Sequence, residues 1–152
     1  MAYKRILVPV DGSATALKGL DAALRLAKDS GAKLRLLHVV EEYAAFTAPD
    51  AGVNIAPILD ALKAGGRRTL AKAEQRVRAA GLKADSAMLE NFGGRIADLI
   101  VEQAKRWKAD LIVMGTHGRR GVQRVLVGSD ADLVVRYSPV PVLLVPARGR
   151  GG

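Results

Sequence analysis

Residues Asp110 to Ser129 read D-L-I-V-M-G-T-H-G-R-R-G-V-Q-R-V-L-V-G-S. The stretch opens on an apolar run, Leu111 to Met114, with the length and β-branched composition of a buried strand. Glycines follow at Gly115, Gly118, Gly121 and Gly128. Ser129 then stands where a helix N-cap belongs, ahead of Leu133 and Val134 on one face, which makes Asp130 the first helical residue. A strand, a glycine-rich loop and a helix start together suit phosphate. Glycine admits positive φ and close approach, so successive N–H groups can point inward. The helix N-terminus adds unpaired donors and partial positive charge. Arg119, Arg120 and Arg124 bring formal charge to the same loop.

A second strand-to-helix turn lies near the N-terminus. Residues 3–10 read as a buried strand that should end about Pro9, which cannot donate to a ladder. Asp11-Gly12-Ser13 follows, with Ser13 as N-cap of a helix from Ala14 to about Ser30, stopped by Gly31. Asp11 is then either an Asx turn-former or a ligand group at the strand edge where parallel sheets bind. Residues 33–40 form a second strand, in which His38 has no partner at metal spacing and reads as structural. The connection 41–52 carries Tyr43, Phe46, Pro49 and Gly52, and is open to two readings, a lid over a ligand or an idle surface excursion. A long helix over 54–80 has a weak spot at Gly65-Gly66. Residues 82–90 read as an exposed or edge strand, Phe92-Gly93-Gly94 as a turn, and 96–108 as a helix. Ser138-Pro139 breaks the helix that starts at Ser129, and Val140 to Val145 is a last apolar strand before a glycine-rich, mobile tail. Alternating strands and helices imply α/β architecture, a parallel sheet with right-handed crossovers and helices on both faces.

The loop is neither a P-loop nor a dinucleotide fingerprint, since G-x-x-x-x-G-K-[ST] and G-x-G-x-x-G are both absent. Its spacing is Gly115-x2-Gly118-x9-Gly128-Ser129. That spacing resembles the nucleotide-binding signature of the universal stress protein family, in its ATP-binding branch. Pro9-Val10-Asp11-Gly12-Ser13 also fits the family's P-x-D-x-S pattern beside the nucleotide. The resemblance spans nearly the whole chain. It implies a single-domain, five-stranded open sheet of order 3-2-1-4-5, like the adenine nucleotide alpha hydrolases, over residues 1–147, with 148–152 as tail. It also implies ATP, with or without Mg²⁺, as the bound cofactor. Pro9, Asp11 and Ser13 would lie at the nucleotide, Asp11 toward the ribose hydroxyls. The backbone of Val39 or Val40 would meet adenine, Met114 and Gly115 would bracket the ribose and first phosphate, and His117 would shape the loop or touch phosphate. Gly118, Arg119, Gly128 and Ser129 would hold the phosphates, Gly118 and Gly128 through backbone N–H groups. Asp130 is a conflict: its carboxylate suits the helix dipole but repels phosphate, so either it points away or a cation such as Mg²⁺ stands between. If the last strand is a sheet edge, as the resemblance implies, Val140 to Val145 would form a homodimer.

Composition narrows the function classes. A chain of 152 residues is one domain able to bury roughly 70% of its unfolded surface, and 49% hydrophobic residues exclude general disorder. No apolar run reaches the length of about 18 residues that a membrane span requires. The N-terminal segment is too short for a signal peptide, and with no cysteine the chain suits a reducing cytoplasm. Net charge is +9, but the basic residues scatter over helix faces, and two Phe and one Trp make a poor stacking platform for bases. Nucleic acid is therefore not the expected partner, and the same scarcity argues against flavin. H-x-G-H and K-M-S-K-S are absent, and a lone His117 makes no nucleophile-and-base pair. An ATP-binding regulatory protein is the leading reading. Slow Mg-dependent ATP hydrolysis and a nucleotide-independent interaction module remain the alternatives.

Overall fold

The computed structural model describes residues 2–42, 46, 52, 54–116 and 128–146. In chain order the elements are β1 (Arg5–Pro9), α1 (Ala14–Ser30), β2 (Lys33–Glu41), α2 (Ala56–Ala79), β3 (Ala84–Asn91), α3 (Ile96–Trp107), β4 (Leu111–Gly115), α4 (Ser129–Tyr137) and β5 (Val142–Val145). Among the described residues the strands make one five-stranded sheet, ordered β3-β2-β1-β4-β5. Every neighbouring pair is parallel. The expected α/β class and strand order are both found.

Strand alternation splits the core into two layers. Ile6 and Val8 of β1, Leu34 and Leu36 of β2, and Leu111 and Val113 of β4 face α1 and α2, against Leu20, Leu24, Leu70 and Val77. Leu7, Leu37, Ile112 and Met114 face the other way, against Ala97, Ile100, Ala104, Trp107 and Val134 of α3 and α4. Strands buried on both faces read as continuous apolar runs, as β1 and β4 do.

Three local features differ from expectation. β5 starts at Val142, because Pro141 offers only its carbonyl, which accepts the Ile112 N–H at 3.0 Å. β3 runs one residue past its expected end, to Asn91, and is the edge strand beside β2. Gly65-Gly66 is no break, since α2 passes through it unbroken. A Cβ on Gly66 would come within 2.9 Å of His38 Cδ2 and Met88 Sδ, so this glycine is where α2 makes its close approach to the sheet. The helix propensity lost at Gly66 is recovered in packing.

At the N-terminal edge of the sheet the turn before β4 is pinned to β1. The Asp110 carboxylate accepts the backbone N–H groups of Lys4 and Arg5 at 2.8 and 2.9 Å. The opposite edge is left for the crossover turns.

Candidate functional site

β1 crosses over to β2 on one side, and β4 lies on its other side, so the C-terminal ends of β1 and β4 form the topological switch point of the sheet. The turn after β1 is built locally. The Val10 N–H continues the pairing to Leu37 O at 2.8 Å. Gly12 takes φ +86°, and the Asp11 carboxylate accepts the Ser13 N–H at 2.9 Å. Ser13 Oγ accepts the Ala16 N–H at 3.1 Å, which makes it the N-cap of α1. The His38 ring stands with Nδ1 2.8 Å from Val10 O, so Nδ1 carries the hydrogen and donates.

β4 ends against the first turn of α1. A Cβ on Gly115 would stand 2.5 Å from Thr15 Cγ2 and 2.9 Å from the Thr15 carbonyl carbon and oxygen. Gly19, one turn on, packs on the same spot, its own ideal Cβ being 3.2 Å from Gly115 N. Thr116 then donates its N–H to Val145 O at 3.1 Å and accepts the Gly128 N–H on its carbonyl.

That last bond decides where α4 begins. Gly128, at φ −65° and ψ 161°, is the N-cap, with no side-chain capping bond. Its carbonyl takes the first intrahelical bond, from Asp132 N–H at 2.9 Å. Ser129 is therefore the first helical residue and Asp130 the second, one place later than the sequence suggests. The Gly128 N–H is bonded to the Thr116 carbonyl. The orphan donors of the helix start are the N–H groups of Ser129, Asp130 and Ala131.

These pieces surround one crevice of about 1070 Å³, at the upper end of small-molecule sites. Pro9, Asp11, Val39, Val40, Met114, Gly115, Gly128, Ser129 and Asp130 all line it. Ser13 does not, its hydroxyl being engaged as a cap. His117, Gly118 and Arg119 lie outside the described residues, as do most of the connection 41–52 and the tail 148–152. Three parts of the wall escaped the sequence reading. α2 contributes Ala61, Leu62 and Gly65. The turn after β3 contributes Gly93 and Gly94, held by Asn91, whose Oδ1 accepts the Gly94 N–H at 2.9 Å and whose Nδ2 donates to the Gly94 carbonyl at 2.8 Å. The signal was present: Phe92-Gly93-Gly94 follows a strand at the same sheet edge as Asp11-Gly12-Ser13. Thr116 is the third, a buried wall residue whose hydroxyl has no hydrogen-bond partner among the described residues.

The described wall of the crevice carries more acidic than basic side chains. Among the described lining residues Asp11, Glu41 and Asp130 are acidic and Arg95 is basic. The Arg95 guanidinium is shared with the Asp98 carboxylate at 3.1 Å and lies 5.7 Å over the Tyr137 ring. Asp130 opens to solvent at the mouth, yet the crevice walls around it and then the charge of Asp11 both raise its pKa above the ordinary carboxylate value. Among the described residues no cluster of three or more His, Cys, Asp or Glu could hold a metal by itself. None of their helices is long and apolar enough to cross a membrane.

The model of the universal stress protein family matches residues 2–146. A universal stress protein of Methanocaldococcus jannaschii is 38% identical over 143 residues, covering 94% of this chain and 82% of its own. A solved universal stress protein in complex with cAMP superposes with a TM-score of 0.67 at 30% identity, over 97% of this chain and 100% of its own. The universal stress protein of Archaeoglobus fulgidus in complex with dAMP gives 0.64 at 25% identity, over 95% and 99%.

Proposed function

The chain belongs to the universal stress protein family, and from that premise we propose that its crevice holds an adenine nucleotide, ATP, in a regulatory or stress-response role. The observation that carries this reading is the meeting of the β1 end, the β4 end and the α4 N-terminus in one cavity. The relatives in complex with cAMP and dAMP support the adenine part. So does the length of β2. Pairing with β1 stops at Pro9 and Leu37, while β2 runs on to Glu41, beyond the end of its neighbour. Backbone groups at Val39 or Val40 can then read an adenine edge, which favours ATP over GTP.

In this reading Asp11 serves the ribose hydroxyls, and Met114 and Gly115 flank the ribose and first phosphate. The phosphates lie along Gly118 and Ser129. Their donors are the Ser129 hydroxyl and the N–H groups of Ser129, Asp130 and Ala131, assisted by the helix dipole. His117 and Arg119 belong to the same loop by sequence. The residues present fit Mg²⁺, which takes one or two carboxylates plus phosphate oxygens rather than an all-protein cage.

The working unit is the domain over residues 1–147, placed in the cytoplasm and paired as a homodimer through Val140 to Val145. β5 is the sheet edge beyond β4, and Leu143 on it is 40% exposed. An apolar edge of this kind invites a partner strand. Mass spectrometry of small molecules released from freshly purified, denatured protein, followed by calorimetry with ATP and GTP, tests the nucleotide reading. Adenine nucleotide should be recovered and ATP should bind more tightly. Equal affinity for GTP would remove the role given to Val39 and Val40.

A further inference from the structure

We infer that Asp130 makes the crevice select its ligand by charge, so that a nucleoside monophosphate enters as it is and a triphosphate enters only as its divalent-metal complex. This rests on the adenine-nucleotide reading above. Asp130 is the second residue of α4 and lines the crevice next to Ser129, at the start of the helix where a phosphate would find its donors. Asp11 lines the same cavity from the end of β1. Glu41 adds a third carboxylate to the wall, and among the described lining residues the one guanidinium is that of Arg95, which Asp98 already engages. Burial in the crevice, and after it the charge of Asp11, raise the Asp130 pKa. A phosphate chain laid along α4 therefore meets like charge within the same cavity.

The helix start can offset a small ligand charge. Its three orphan donors and partial positive charge suit one phosphate group. A triphosphate carries about twice the negative charge of a monophosphate at neutral pH. The added charge is opposed by Asp130 and Asp11, through partly protein-filled space where screening is weaker than in bulk water. A divalent cation removes the conflict by bridging phosphate oxygens and a carboxylate, and then Asp130 becomes an asset. One side chain thus penalises the bare triphosphate and favours its metal complex.

The experiment is calorimetry of AMP and ATP, each with excess Mg²⁺ and with EDTA, on wild type and Asp130→Asn. For wild type, AMP should bind equally in both solutions, and ATP should bind about tenfold or more weakly in EDTA, a screened fraction of the Coulomb repulsion. Asp130→Asn should recover that loss for ATP in EDTA, shift ATP by several-fold more than AMP, and reduce the dependence on Mg²⁺. Asp130 is exposed at a helix start, so the variant should fold, and circular dichroism checks this. Wild-type ATP affinity that is the same with Mg²⁺ and EDTA overturns the inference. So does an Asn variant that shifts AMP and ATP equally. Binding of neither nucleotide to wild type would instead end the adenine reading, and this inference with it.

Discussion

Gly115→Ala separates what the first signature glycine does for the fold from what it does for a ligand. The new Cβ would stand 2.5 Å from Thr15 Cγ2 and 2.9 Å from the Thr15 backbone carbon and oxygen. A side-chain methyl can turn aside, but the backbone of the first turn of α1 cannot. Nor can α1 slide along β4 freely, because Gly19 already sits on Met114 and Gly115 with an ideal Cβ at 3.2 Å. The helix must lift from the strand, which opens the packing of Leu20, Ala23 and Val113. Overpacking of this kind costs about 1–3 kcal/mol. For a domain of this size each kcal/mol moves the midpoint by about 2–4 °C, so the variant should melt about 2–12 °C below wild type. The assay is thermal unfolding followed by circular dichroism on ligand-free protein, with Gly31→Ala as a control. Gly31 has φ +74° and nothing within 4 Å of its Cβ, so that variant carries backbone strain without a clash. A Gly115→Ala midpoint within a degree of wild type would refute the packing argument, and lost nucleotide binding at unchanged stability would return Gly115 to the ligand.

Other outcomes follow from the same geometry. Gly118→Val should abolish nucleotide binding while the chain stays folded, because a Cβ there fills the room of a phosphate and disfavours positive φ; unchanged affinity by calorimetry removes the loop from the site. Leu143→Asp should leave a monomer in sedimentation, since it charges the exposed edge strand; a wild type already monomeric at tens of micromolar, roughly the weak-dimer range, counts against the interface. Arg76 clamps Asp21 with two bonds of 2.7 and 2.8 Å, joining α2 to α1, and this bonding lowers the Asp21 pKa. A lowered folded pKa contributes stability that is complete above the ordinary carboxylate range and is lost as pH falls through the lowered value. Both side chains are over a third exposed, so Asp21→Asn should cost only about 0.5–1 kcal/mol in urea unfolding at neutral pH, and a gap from wild type that persists in acid would exclude this mechanism.

The parts of the fold legible in the sequence are those set by neighbours in the chain. Ser13, Gly31 and the apolar face between them fix α1 to the residue, because capping and termination are local events. Gly128 and Ser129 are both acceptable N-caps, and the local preference for Ser over Gly points to the wrong one. The choice is made by the Thr116 carbonyl, which holds the Gly128 N–H. Gly65-Gly66 reads as a flaw in α2 until His38, Val40 and Met88 are seen beneath Gly66. The wall around Asn91 required knowing that β3 ends at the same edge as β1, and strand order came from resemblance rather than from residue patterns. The charge of Asp130 and its place at a helix start are local and legible, while the shared cavity with Asp11 is a property of the sheet topology.

The glycines of the signature need not share one task. Gly115 has a packing reason that holds without any ligand, and Gly19 and Gly66 show the same use elsewhere in the chain. Gly128 has its N–H bonded to Thr116 and acts as the cap that frees the next three donors. Both line the crevice and shape it. On the proposed reading, a phosphate contact by glycine backbone falls to Gly118, and further donors belong to Ser129, Asp130 and Ala131. If this division is right, stability and affinity are set by different glycines of one motif. Gly115→Ala would lower the melting temperature with or without nucleotide, and Gly118→Val would lose the nucleotide at an unchanged melting temperature of the ligand-free protein. Variants that lose both properties together would show that strand end and loop act as one unit, and that close packing at Gly115 is itself a condition for holding the ligand.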